Sequence, residues 1–263
     1  MLRFFRQLRK DQLMSDKTRK YFFYAVGEIL LVVIGILIAL QVNNWNEKRL
    51  ANDNEIDLFE NALLDLRQEK STTETQIRWF KNFQDVHFEI YKQTKDSSAY
   101  NPDLDYNSLI WTNIFRPLIQ ENYGNKVGGI TNETIQALFR DLIWREKLTS
   151  EAMVEWNDFK LNVLRPFFAK YGINNTESTF DHEPYEFMSM DEISLLDYEK
   201  LKSRYGTEEF DQILYNSRHK ASWVIHCLNN MKIANEKVTS ALNFYITGEI
   251  GSLKTIEPLK SYY

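Results

Sequence analysis

A chain of 263 residues, 43% hydrophobic and 26% charged, has the composition of a folded protein and excludes a disordered tail. Its net charge of −5 disfavours nucleic acid as a partner, because such binding rests on neutralising phosphates with Lys and Arg. The single cysteine, Cys227, excludes an intramolecular disulfide framework.

The charge is unevenly spread. Arg3, Arg6, Arg9, Lys10, Lys17, Arg19 and Lys20 crowd the first 20 positions against only Asp11 and Asp16, so a basic head precedes an acidic body. In "MLRFFRQLRKDQLM", Leu2, Phe5 and Leu8 stand at helical spacing beside Phe4. Two readings stay open for residues 1–20: a segment lying along the inner leaflet, or a basic cytoplasmic tail that only enforces topology.

From Phe22 to Val42 the chain is almost unbrokenly apolar. As a helix, at about 1.5 Å per residue, this run covers roughly 30 Å, the hydrocarbon thickness of a bilayer. A cleaved signal peptide has a shorter apolar core, about 7–15 residues, followed by small residues. Here the run ends in Gln41, Asn43, Asn44 and Trp45 instead, so residues 21–45 read as an uncleaved transmembrane helix. Tyr21, Phe22 and Tyr24 form an aromatic belt at one interface and Trp45 lies at the other. Only Lys48 and Arg49 follow closely, against the seven basic residues before. Positive charge is retained inside. The expected location is therefore the inner membrane, with the N-terminus cytoplasmic and residues 46–263 periplasmic.

One carboxylate, Glu28, interrupts the run. Glu28, Val32, Gly35, Ala39 and Val42 fall within about 40° of one azimuth, so the glutamate shares a face with the small pair Gly35 and Ala39. An ionised carboxylate in hydrocarbon is costly. Self-association, or docking on a partner's membrane helix with Glu28 hydrogen-bonded across the seam, satisfies it. A lone tilted helix whose glutamate reaches the headgroups does so too, and a proton path is the sharpest and least supported alternative, since no second ionisable group stands in the segment.

Beyond the membrane the pattern is helical nearly throughout. No Pro or Gly occurs from Asn46 to Thr94, and Ile56, Phe59, Leu63, Leu66, Lys70, Thr73, Ile77, Phe80, Gln84, His87 and Tyr91 step by three and four. Lys70 and Thr73 make the middle polar, which argues for packing into a bundle rather than a long self-sufficient coiled coil. "KDSSAYNPDLDYNS" and "ENYGNKVGG" are loops. A long helix is expected from a Thr131 cap to before Gly172, with a kink or break at Pro166. Residues 173–191 read as irregular. A last long helix is expected from about Thr207 to Thr247, lined on one side by Phe210, Ile213, Leu214, Ser217, Ala221, Val224, Leu228, Met231 and Val238 and closed by Gly248 and Gly251. The expected fold is all-α: one transmembrane helix, then an extracytoplasmic up-and-down bundle with a stalk-like first helix.

The chemistry-bearing motifs are few. "GNKVGGIT" lacks the Lys followed by Ser or Thr after its final Gly that a phosphate loop needs, and reads as a turn before a helix. Asp181, His182 and Glu183 are adjacent residues that seldom converge on one metal. His219 and His226 lie two helical turns apart, too far for one ion. Cys227 points about 100° away from His226, so no nucleophile and base pair arises. No catalytic residue, metal or cofactor is assigned, and no enzyme is expected.

"KYFFYAVGEILLVVIGILIALQVNNWNEKR", led by "LRFFRQLR", resembles the signature of a family of single-pass inner-membrane proteins of unknown function common in Bacteroidetes. The resemblance spans roughly the first fifty residues and implies an inner-membrane anchor with a periplasmic helical domain. It implies no activity, ligand or catalytic residue.

The expected function is that of a membrane-anchored scaffold or interaction protein, a homo-oligomer or an accessory subunit of a larger membrane complex, with the lipid bilayer as its other partner. The alternative is a periplasmic ligand-sensing module. Against it, no second apolar run of 18 residues precedes "PLKSYY" to carry a signal back, so such a module acts through a partner membrane protein.

Overall fold

The computed structural model describes residues 16–95, 99–181 and 194–248, and all its regular elements are helical. The described residues form seven α-helices: α1 (Asp16–Thr94), α2 (Leu118–Tyr123), α3 (Glu133–Phe159), α4 (Arg165–Lys170), α5 (Thr176–Phe180), α6 (Tyr198–Lys202) and α7 (Glu208–Thr247). Among the described residues there is no β-strand, only one antiparallel bridge between Asn174 and Leu196. The expectation of an all-α chain holds. The basic residues Arg3, Arg6, Arg9 and Lys10 lie outside the described residues, as do His182 and Glu183.

The chain divides into two compact units, Met1–Leu58 and Phe59–Tyr263. In the first, α1 is the described element, and its residues from Ala25 to Val42 are exposed throughout. One described helix is thus long and apolar enough to cross a membrane by length and composition.

The second unit is a bundle of α1 from Phe59 onward, α3 and α7. Asn235 donates from Nδ2 to the Leu66 carbonyl at 2.9 Å, and Gln84 donates to Ser222 at 2.7 Å, so α1 and α7 run antiparallel. The Trp156 ring on α3 meets Phe80 and Phe83 of α1 at centroid distances of 5.4 and 4.5 Å. Tyr123 and Asn122 at the end of α2 both donate to the Asp65 carboxylate at 2.8 Å.

The segment between α1 and α3 returns along the bundle, so α1 and α3 point the same way. Backbone there that belongs to no long helix must still find partners. Side chains from the end of α3 and the start of α4 supply them. Asn157 exchanges two bonds with the Asn113 main chain, at 3.0 and 2.7 Å, and Arg165 donates to the Ile110 carbonyl at 3.0 Å.

Helix starts follow local chemistry. Asn132, not Thr131, caps α3, its Oδ1 accepting from Ile135 N–H at 3.1 Å. The start of α7 falls at Thr207 as expected, and the structure makes Thr207 its cap, the hydroxyl accepting from Phe210 N–H; Gly248 ends the helix at φ +65°, a left-handed conformation that suits glycine, and Gly251 lies outside the described residues.

The break expected at Pro166 comes earlier. Residues Lys160–Leu164 form a π-helical turn, with Arg165 N–H reaching back to the Lys160 carbonyl. Pro166 has no N–H and its ring crowds the carbonyl four residues before it, and one widened turn relieves both problems.

The apolar stripe of α1 is rotated from its expected register near the C-terminal end. Phe83, Val86 and Ile90 are buried, whereas Tyr91 is half exposed. On α7 every residue of the expected stripe is buried.

Candidate functional site

The membrane stripe comes first. Glu28, Val32, Gly35, Ala39 and Val42 are all exposed, and a Cβ added at Gly35 would meet nothing within 4 Å. Phe22 and Trp45 are each 66% exposed. Lys17, Arg19, Lys20, Tyr21 and Tyr24 lie in α1.

The bundle holds polar chemistry that periodicity did not reveal. Lys160, in the π turn, is fully buried. Its Nζ donates to the Ser108 carbonyl at 2.6 Å and the Trp111 carbonyl at 2.5 Å, and stands 5.1, 4.5 and 4.8 Å from the ring centres of Trp79, Phe83 and Trp156. Burial, with Arg165 nearby, pushes its pKa down to about 6, against a weaker pull from Asp105. The ammonium form is held by aromatic faces and carbonyl oxygens, and no carboxylate among the described residues is bonded to it. Those contacts do not repay its desolvation.

A second buried group is Glu146 on α3. Its two oxygens accept from Ile119 N–H at 2.8 Å and Gln120 N–H at 2.6 Å. These are orphan donors at the start of α2, where Pro117 offers no capping side chain. Burial, then a hydrogen bond to Glu69 of α1, raises Glu146 far above the carboxyl range. Glu69 Oε2 accepts from Asn235 Nδ2 at 2.7 Å, while its Oε1 has no donor unless Glu146 carries a proton. One shared proton therefore satisfies the pair.

His87 of α1 is also buried. Its Nδ1 lies 2.8 Å from the Phe83 carbonyl and its Nε2 lies 2.8 Å from the Ser217 hydroxyl. A carbonyl only accepts, so Nδ1 carries the proton and Nε2 accepts from Ser217. Burial pushes the imidazole down to about 3 and keeps it neutral.

Where α1 and α7 meet above His87 lies a pocket of about 240 Å³, lined by His87, Tyr91, Asp211, Leu214, Tyr215 and Arg218. Asp211 Oδ1 is buried and accepts no hydrogen bond. The Arg218 guanidinium sits 5.5 Å from the Phe88 ring centre, and no carboxylate pairs with it among the described residues.

The other sequence candidates do not converge. Val127–Gly129 is a single 3₁₀ turn before α3, with open space at Gly128 and Gly129. His219 and His226 are exposed and stack on Tyr215 and Trp223, at 6.2 and 5.5 Å. Cys227 is buried, and burial raises its thiol to about 11. Among the described residues, no three His, Cys, Asp or Glu side chains are placed to hold a metal.

Residues 28–98 match a family of unknown function, DUF6090. The match begins at Glu28, takes in the stretch through "NNWNEKR", and continues four residues past the end of α1. No curated protein matches the chain, and no solved structure matches it.

Lys160, Glu146 and Glu69 were missed because each is a charged residue at a core position. One signal was present: Met153, Trp156, Lys160 and Leu164 step by three and four, so the lysine continues the buried register of α3 into the π turn.

Proposed function

We propose that this protein is a single-pass scaffold of the cell envelope: α1 crosses the inner membrane with the N-terminus in the cytoplasm, the bundle lies in the periplasm, and the chain acts by self-association through its membrane stripe. The observation that carries this reading is the exposure of every residue from Ala25 to Val42 on the isolated chain. Apolar surface of that extent is tolerated in lipid or against another helix, not in water. Within it, Gly35 and Ala39 let two backbones approach closely, and Glu28 on the same face gains a hydrogen-bond partner from a second copy. The excess of basic residues before the segment supports the orientation.

The test is the mass of the full-length protein in detergent, measured by light scattering for wild type, Glu28→Leu and Gly35→Leu. The expected result is a defined oligomer for wild type that falls apart in either variant. A wild type that is monomeric and carries a co-purifying membrane protein shifts the reading to an accessory subunit. Three monomers without partners overturn it.

A further inference from the structure

The outward face of α3 carries apolar and charged residues in an order that complements itself. Positions 137, 140, 144, 147, 151, 154, 158 and 161 step alternately by three and four, which places them on one stripe along α3 and into the π turn, and all of them are exposed. Trp144, Val154 and Leu161 on this stripe are 51%, 56% and 45% exposed. Apolar residues that recur at such spacing form the seam of a helix pair, unlike the scattered ones that any surface shows.

The charges on the stripe are sorted along it. Arg140 and Lys147 stand toward its start, Glu151 and Asp158 toward its end. Lys147 reaches Glu151 at 3.9 Å, with the two side chains 66% and 63% exposed, and an ion pair so open to water contributes little. Arg140 and Asp158 form no ion pair among the described residues.

A second copy laid parallel on this face would set like charge against like at all four charged levels, which repels. Laid antiparallel, about a two-fold axis at the level of Thr149, it opposes Arg140 to the partner's Asp158 and Lys147 to the partner's Glu151. In the same register Trp144 meets the partner's Val154 and Ala137 meets the partner's Leu161. Every cation then faces an anion and every apolar side chain an apolar one. Each contact occurs twice, as a two-fold interface requires. Beside the stripe lies a groove of about 490 Å³, lined in part by Val127, Arg140, Ile143, Trp144 and Lys147, which gives the partner's Val154 room to seat next to Trp144.

We propose that two copies of this chain associate antiparallel through the outward face of α3, a contact separate from the membrane stripe. The matched stretch is about 36 Å long at 1.5 Å per residue. One helix pair of that length, with charges at half of its seam positions, makes a weak, exchanging contact rather than a permanent dimer.

The experiment is disulfide trapping on the full-length protein in detergent, with Cys227→Ala to remove the native thiol and Glu28→Leu to disable the membrane stripe. Two proteins are made on that background, one with Arg140→Cys and one with Asp158→Cys. Mixed and oxidised, they should give a disulfide-linked dimer, in which the second Arg140–Asp158 contact stays intact. Each protein alone should give little. Arg140 and Asp158 are 18 positions apart, so the antiparallel pair holds either position about 27 Å from its own counterpart, beyond the reach of a disulfide. Adding Lys147→Glu to both proteins should lower the trapped fraction about fivefold or more, and adding Glu151→Lys as well should restore it.

Circular dichroism checks that every variant folds. Absence of trapping in the mixture overturns the proposal. So does trapping of the Arg140→Cys protein with itself at the same rate, or a loss from Lys147→Glu that Glu151→Lys does not restore. Because the membrane stripe is disabled throughout, the outcome is independent of the light-scattering test of the membrane helix.

Discussion

Glu146 and Glu69 meet between α3 and α1 as two buried carboxyl groups that share one proton. The folded chain therefore holds a proton that the unfolded chain releases above the ordinary carboxyl value of 4.5, so this pair makes the protein less stable as pH rises. Lys160 does the opposite. Its pKa is lowered from 10.5 to about 6, so between those values the unfolded chain holds a proton that the folded chain has lost, and stability rises with pH.

The two slopes, each at most about 1.4 kcal/mol per pH unit, oppose one another at neutral to mildly alkaline pH. Denaturant unfolding from pH 7 to 9 should give a nearly level profile for wild type. Against that profile, Lys160→Met should lose stability as pH rises and Glu146→Gln should gain it. If both variants run parallel to wild type, neither group has a displaced pKa in the fold.

Gln93 closes one end of the bundle. Its Oε1 accepts from Tyr198 and Tyr205 at 2.8 and 3.0 Å, and its Nε2 donates to Tyr106 Oη and the Ala99 carbonyl at 3.2 and 3.3 Å. Four partners on two chain segments, 99–106 and 198–205, depend on one amide. Gln93→Leu should cost about 2–4 kcal/mol, because several buried groups lose their partner together, whereas Tyr198→Phe should cost about 1 kcal/mol. Chemical denaturation measures both, and equal costs would show that the network does not act through Gln93.

The sequence revealed what apolar periodicity can reveal. The Thr207 start, the Gly248 stop and the buried face of α7 all rest on regular spacing or a capping residue, and each holds in the fold. It concealed what depends on partners distant in sequence. Nothing near Glu146 announces that Pro117 leaves α2 uncapped, and nothing near Lys160 announces that the carbonyls of Ser108 and Trp111 need a donor. The pocket was hidden for the same reason: His87 and Tyr91 stand more than 100 positions from Asp211 and Arg218.

Trp156 and Trp223 look alike in sequence, each on a long amphipathic helix. Trp156 is fully buried between Phe80 and Phe83, while Trp223 is 42% exposed and stacks on His226. Trp156→Ala should cost about 3–5 kcal/mol through lost burial and the cavity left behind, and Trp223→Ala under about 1 kcal/mol. Unfolding midpoints of the two variants decide it. Comparable losses would place both rings in packed surroundings.

Cys227, the one cysteine in the chain, turns these differences into a kinetic measurement. It is buried on α7, and burial holds its thiol near 11, so at pH 8 the folded protein offers little thiolate and no access. Labelling by a thiol reagent must wait for the helix to open. The rate in native buffer should therefore lie orders of magnitude below that of the denatured protein and should rise with each substitution that loosens the bundle. Trp156→Ala, with its core neighbours lost, should label much faster than wild type, and Trp223→Ala nearly as slowly. A wild-type rate already close to the denatured one would mean that the thiol is accessible and that α7 does not pack as described.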